Sequence, residues 1–147
     1  MFVSNYKIQV LSETDIKNKF DFSIKINKEG EYRFGNDKFI IKKYQNPVKN
    51  FPKDNEYMAY VNISETNFEL RYRKDGDIIR PYGMNGHQKL KKYLNEKKIP
   101  NHDKDKLICL CKNNEVFWVA GYGLSENLKV EKIPTHIIKI ERGAYEN

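Results

Sequence analysis

Apolar side chains recur at every second position in one segment after another of this chain. Tyr6, Ile8 and Val10 share a face, as do Phe20, Phe22, Ile24 and Ile26. The spacing returns in Tyr57, Ala59, Val61 and Ile63, and again in Phe68, Leu70 and Tyr72. Successive side chains leave a pleated backbone on opposite sides, so a period of two marks a strand with one face on a core. It predicts strands over 6–11, 20–26, 57–63 and 68–73. It also places Arg71 and Arg73 together on the outward face of the last.

The breaks between these runs fit antiparallel pairing. Asn27-Lys28-Glu29-Gly30, Gly35-Asn36-Asp37, Asp75-Gly76-Asp77, Asn113-Asn114 and Gly121-Tyr122-Gly123 carry residues that tolerate turn backbones. They predict one hairpin over 31–34 and 38–44, and a second over 106–111 and 115–120. Residues 45–56 hold two prolines among Asn and Asp, which suits a surface loop. Residues 135–140 read as a last strand. Only residues 87–98 follow a helical period, with Leu90, Tyr93 and Leu94 at i, i+3 and i+4. Lys91, Lys92, Asn95 and Lys98 point away from that stripe. Asn85 or Gly86 starts the helix and Pro100 ends it.

The expected fold is mainly β within the α+β class: an antiparallel sandwich or barrel-like domain with one packed amphipathic helix. Apolar residues are only 39% of the chain, but ten Tyr, eight Phe and one Trp bury large areas each, enough for a true core. Trp118 reads as part of that core. Cys109 and Cys111 lie two apart on a strand, so both thiols face one way and fit buried, reduced cysteines. No apolar run approaches the ~20 residues that span a bilayer. The first residues lack the pattern of a signal peptide. The expected location is the cytoplasm, without a membrane partner.

Charge is the functional signal. The formal net charge is +7, and residues 71–112 carry all of it, with 12 Lys or Arg against five Asp or Glu. A solubilising coat spreads its excess along a chain, whereas a concentrated excess creates a local field suited to a nucleic-acid backbone. Arginine adds a planar fork that matches phosphate, and lysine adds range. The candidate RNA-binding residues are Arg71, Arg73, Arg80, Lys89, Lys91, Lys92, Lys98, Lys104 and Lys106. Tyr82 and Tyr122 flank glycine-containing turns. Either can stack on a base, and burial is the simpler reading of both.

Enzyme signals are weak. His87, His102 and His136 are scattered, and a Cys109–His102 dyad would put a thiolate in an apolar strand. The C-x-C pair lacks a second ligand pair at zinc-finger spacing. Asp75, Asp77, Asp103 and Asp105 read as loop carboxylates. Gly76, Gly83 and Gly86 do not form a phosphate-binding loop.

An ordered series of motifs spans residues 68–130. It runs Arg71-Tyr72-Arg73, Gly76-Asp77, Pro81-Tyr82-Gly83-Met84, Gly86, a lysine-rich helix, Lys97-Lys98-Ile99-Pro100 and Val116-Phe117-Trp118-Val119-Ala120-Gly121. The series resembles the C-terminal domain of bacterial tRNA(Ile)-lysidine synthetases. The resemblance implies an N-terminal β-hairpin lobe over 1–66 and a signature β/α lobe over 67–147 of one domain. It implies a β-rich class shared with part of the phenylalanyl-tRNA synthetase β-subunit. It also implies a grip on isoleucine tRNA near the acceptor stem. In the full enzyme, ATP, magnesium and lysine serve lysine ligation to the wobble cytidine. That chemistry belongs to an ATP-pyrophosphatase domain not visible here, so no catalytic residue, metal or cofactor is assigned to this chain.

The chain departs from the family at Ile78, Lys104, Lys106 and Gly123, where arginine is usual or frequent. Arg80, on the face of Ile78, is placed to compensate for the first. The family domain normally ends a longer enzyme, so Met1 reads as the boundary of a piece. A freestanding RNA-binding module, or a protein-interaction module dimerising through a strand edge near 135–140, is the alternative.

Overall fold

Two β-sheets and a short helix are stacked around two apolar cores in the computed structural model, which describes residues 22–146. In chain order the strands are β1 (Ser23–Ile26), β2 (Gly30–Phe34), β3 (Asp37–Lys43), β4 (Met58–Val61), β5 (Phe68–Tyr72), β6 (Ile78–Ile79), β7 (Gln88–Lys89), β8 (Ile108–Lys112), β9 (Glu115–Val119), β10 (Gly123–Leu124) and β11 (His136–Glu141). Helix α1 is Leu90–Glu96, and the single turn α2 is Asn101–Lys104. The strand expected over 6–11 lies outside the described residues.

The central sheet has the order β1-β5-β8-β9-β6-β7, with β10 on β9; the second has the order β2-β3-β11-β4. Among the described residues all pairings are antiparallel except β6 with β9, where Ile78 meets Glu115 and Ile79 meets Val116. The fold is mostly β within α+β, and the described strands do not close into a barrel. Both hairpins form. Phe34 faces Asp37 across Gly35, and Lys112 faces Glu115 across an Asn113 held at φ 57.

The first core lies between the sheets. Ile26, Phe34, Phe39, Ile41, Val61, Leu70, Leu110, Trp118 and Ile138 all belong to it. Each such side chain contributes about 1.5–3 kcal/mol by leaving water. The second core lies on the other face of the central sheet, where Ile79, Cys109, Cys111, Val116 and Val119 meet Leu90, Tyr93 and Leu94 of α1. Strand β8 is therefore buried on both faces, which is why its sequence ICLC is continuously apolar. A register shift in β9 between Val116 and Trp118 turns Trp118 to the first core and Val119 to the second.

The helix is shorter than its period predicts. Gln88 and Lys89 pair with Ile79 and Ile78 as a strand, so α1 begins at Leu90. Seven residues do not hold a helix in water; Leu90, Tyr93 and Leu94 hold this one by packing. It ends where Lys98 takes a left-handed φ of 59 and the Ile99 amide donates to the Leu94 carbonyl. Pro100 does more than stop it, since it is the N-cap of α2.

The topology bears on two further readings. Strand β11 lies between β3 and β4, so the segment near 135–140 is interior and offers no edge for dimerisation. Strands on both sides of residue 66 share both sheets: β1 pairs with β5, and β11 pairs with β3 and β4.

Candidate nucleic-acid interface

Arg71 is inside the protein, which corrects its expected outward place. Its neighbours Leu70 and Tyr72 do turn toward the first core. The opposite face of β5 is covered too, so Arg71 points into a second interior and is 2% exposed. A buried guanidinium needs partners for its five N–H groups, and this one has them. Nε donates to Glu69 Oε1 at 3.1 Å. Nη1 donates to the Tyr72 carbonyl at 2.9 Å and Asp77 Oδ2 at 3.0 Å. Nη2 donates to Asp77 Oδ1 at 2.8 Å and the Asn113 carbonyl at 3.0 Å. Burial alone would lower the Arg71 pKa, but the hydrogen bonds to Asp77 and the charge of its carboxylate outweigh it and raise it. No donor is left for a phosphate.

Asp77 extends this arrangement. Its carboxylate accepts the Lys74 amide at 2.7 Å, and its carbonyl accepts the Leu90 amide at 2.9 Å. The Arg71–Asp77 pair thus fixes the turn at 74–77, the Asn113 turn and the first residue of α1 together.

The other candidates divide by partner. Arg73 Nε donates to the Lys104 carbonyl at 3.0 Å, and Nη2 to Asp105 Oδ1 at 2.9 Å. It ties β5 to the end of α2. Lys104 is 8% exposed and its ammonium donates to Asn95 Oδ1, so it too is corrected from surface contact to interior tie. Arg80 has no ion pair among the described residues: Nε donates to the Met84 carbonyl at 2.9 Å and Nη1 to Asn127 Oδ1 at 3.0 Å.

Lys89, Lys91, Lys92, Lys98 and Lys106 are exposed, and none has an ion-pair partner among the described residues. Leu90, Tyr93 and Leu94 take the buried face of α1, which leaves Lys91 and Lys92 facing water. The first turn of α1 holds no acidic residue. Lysine at a helix start opposes the helix dipole, so this placement does not serve the helix. Exposed Lys74 and Lys97 border the same elements. Their presence in the basic stretch was the only sequence signal for them.

Trp118 is 2% exposed in the first core, as expected. Tyr122 packs against the second core. Tyr82 departs from the simpler reading: it is 55% exposed on the turn where the Gly83 amide donates to Glu126 Oε1 at 2.7 Å. Cys109 and Cys111 are buried free thiols facing the second core. His87 Nε2 lies 2.8 Å from Glu115 Oε2, and His136 Nε2 lies 2.8 Å from Glu29 Oε2, far apart in the topology. Among the described residues, no three His, Cys, Asp or Glu side chains are grouped to hold a metal ion. No described helix is long and apolar enough to cross a membrane.

Known proteins give this geometry a family. The tRNA(Ile)-lysidine synthase of Clostridium tetani is 40% identical over 94 residues, which cover 62% of this chain and 20% of that protein. The tRNA(Ile)-lysidine synthase of Clostridium perfringens (strain 13 / Type A) is 32% identical over 139 residues, 95% of this chain and 29% of that protein. The chain thus spans less than a third of these relatives. The crystal structure of a TILS C-terminal domain shares the fold, with a TM-score of 0.57 and 16% identity over 86% of this chain and 99% of that one. Residues 68–139, from β5 into β11, match the family described as the TilS substrate C-terminal domain, and it is to this family that the chain belongs.

Proposed function

We propose that this domain binds tRNA, holding the acceptor-stem region of isoleucine tRNA for a tRNA(Ile)-lysidine synthase and so helping it select its substrate. One observation carries the reading: the lysines around α1 are exposed without acidic partners among the described residues, while Arg71, Arg73 and Lys104 are engaged by the fold. Stem RNA hides its base edges in a deep groove, so proteins hold it by shape, phosphates and 2′-hydroxyls. Flexible lysines on a rigid scaffold suit that task. Arg80, with N–H groups to spare, joins Lys89, Lys91, Lys92, Lys98 and Lys106 in it. A tRNA partner also puts the site of action in the cytoplasm.

On this reading ATP, magnesium and lysine act elsewhere in the ligase.

The test is binding of an isoleucine tRNA transcript across a salt series, read by fluorescence anisotropy. Four to six phosphate contacts give a slope of log K against log salt of roughly −3 to −5. Arg80→Ala should flatten the slope by about one. A flat salt dependence overturns the proposal. A salt-insensitive dimer in sedimentation, without RNA affinity, would put a protein-interaction module in its place.

A further inference from the structure

A cleft of about 270 Å³ opens where the 45–56 loop, β4, α1 and β10 converge. Phe51, Tyr60, Tyr82 and Tyr93 line it, together with Lys97 and Asp54. We infer that this cleft takes one unpaired nucleotide of the bound RNA, its base among the aromatic rings and its phosphate on Lys97. The inference rests on the tRNA-binding reading and adds to it a part of the substrate that the exposed lysines do not touch.

Three observations point to an occupant. Tyr93 is 7% exposed, yet its hydroxyl has no hydrogen-bond partner among the described residues. A buried hydroxyl left unpaired is unfavourable, and native interiors rarely keep one without a use. The oxygen stands beside Gly123, where an added Cβ would lie 2.0 Å from it and 3.6 Å from Lys97 Nζ. The missing side chain leaves the hydroxyl and the ammonium beside each other on one wall. Burial pushes the Tyr93 pKa up to about 12, with the Asp54 charge adding to it, so the hydroxyl keeps its proton and can both donate and accept.

Second, Phe51 and Tyr82 are 51% and 55% exposed; the Lys129 ammonium lies 5.5 Å from the Tyr82 ring centroid, so one side of that ring is taken and Phe51 is the more open stacking surface. Phe51 is braced edge-on against Tyr60, with ring centroids 6.2 Å apart and planes at 86°. Third, the lining carries one cation, Lys97, as well as the Asp54 carboxylate. Lys97 Nζ lies 5.3 Å from the Tyr93 ring centroid and has no ion pair among the described residues. Aromatic walls, a polar floor and one ammonium are how proteins hold single-stranded nucleotides. The cavity is at the small end of ligand sites, suited to one base with its sugar and not to a duplex.

The test compares a blunt RNA hairpin with the same hairpin carrying a short unpaired 3′ tail, by anisotropy at fixed salt. Stacking one base should tighten binding of the tailed RNA about fivefold or more. Phe51→Ala and Tyr93→Phe should remove or reduce that gain and leave blunt-hairpin affinity unchanged. Phe51 is half exposed and Tyr93→Phe deletes a single oxygen, so both variants fold. Equal binding of the two RNAs by the wild type, or a gain that survives both substitutions, overturns the inference alone. Failure of the wild type to bind either RNA overturns the tRNA reading and this inference with it.

Discussion

The Arg71 guanidinium meets the Asp77 carboxylate fork to fork, at 2.8 and 3.0 Å, with both side chains 2% exposed. The residues of the family motif that look most suited to phosphate therefore hold the domain together. From this pair hang the turn at 74–77, the Asn113 turn and the start of α1. The lysines that remain outside are placed by it.

Breaking the pair should unfold the domain before it affects any ligand. Asp77→Ala leaves a buried cation without its counter-charge, a change that costs about 3–5 kcal/mol. Arg71→Lys should not rescue the fold, because an ammonium cannot reproduce the fork or reach the Asn113 carbonyl at once. Urea unfolding followed by circular dichroism measures both. A loss under about 1 kcal/mol for Asp77→Ala would contradict the assigned role.

Gly123 and Tyr93 are coupled by contact. A Cβ on Gly123 would stand 2.0 Å from the tyrosine oxygen but 3.3 Å from its ring carbon. Gly123→Ala should therefore destabilise the domain by about 1–3 kcal/mol through overpacking. In a Tyr93→Phe background most of that loss should vanish, since the offending oxygen is gone. A double-mutant cycle on unfolding midpoints reads the coupling directly; simple additivity would refute the contact.

The layout of strands was readable because alternation is local. Phe68 and Leu70 face the inter-sheet core as their spacing requires, and both hairpins close where Gly35 and Asn113 permit. The fate of Arg71 was not readable. Alternation reports which residues share a face, and it is silent on whether the other face meets water. The clue lay thirty-seven residues on, in ICLC, whose unbroken apolar run shows that β8 and hence its neighbour β5 are covered twice. Lys104 was hidden by the same gap: its burial depends on α2, a turn that follows Pro100 where the periodicity had ended. The exposed lysines were legible as a charge count, but their freedom from partners is a tertiary fact.

Glu29 and His136 make the stability of the domain sensitive to acid. The Glu29 carboxylate is held below its ordinary value of 4.5, chiefly by the hydrogen bond from His136 and then by its own backbone amide. A carboxylate depressed in the folded state stabilises above its unfolded pKa, and that contribution is lost as pH falls through the folded value. The unfolding midpoint of the wild type should thus decline more steeply than that of Glu29→Gln as pH drops below about 4.5. Parallel pH profiles for the two proteins would show that the contact does not contribute.

The first turn of α1 sets stability against binding. Lys91 and Lys92 stand at the positive end of the helix, with no acidic residue to complement it. Replacing both with Glu removes two candidate phosphate contacts and introduces charges that the helix dipole favours by about 0.3–1 kcal/mol each. The double variant should unfold at equal or slightly higher urea than the wild type. Its tRNA affinity should fall more than tenfold at low salt, with the salt slope flattened by about two. Binding and stability would then move in opposite directions, which general damage to the fold cannot produce. Retained affinity, or a parallel loss of stability and binding, would remove these lysines from the RNA-facing surface.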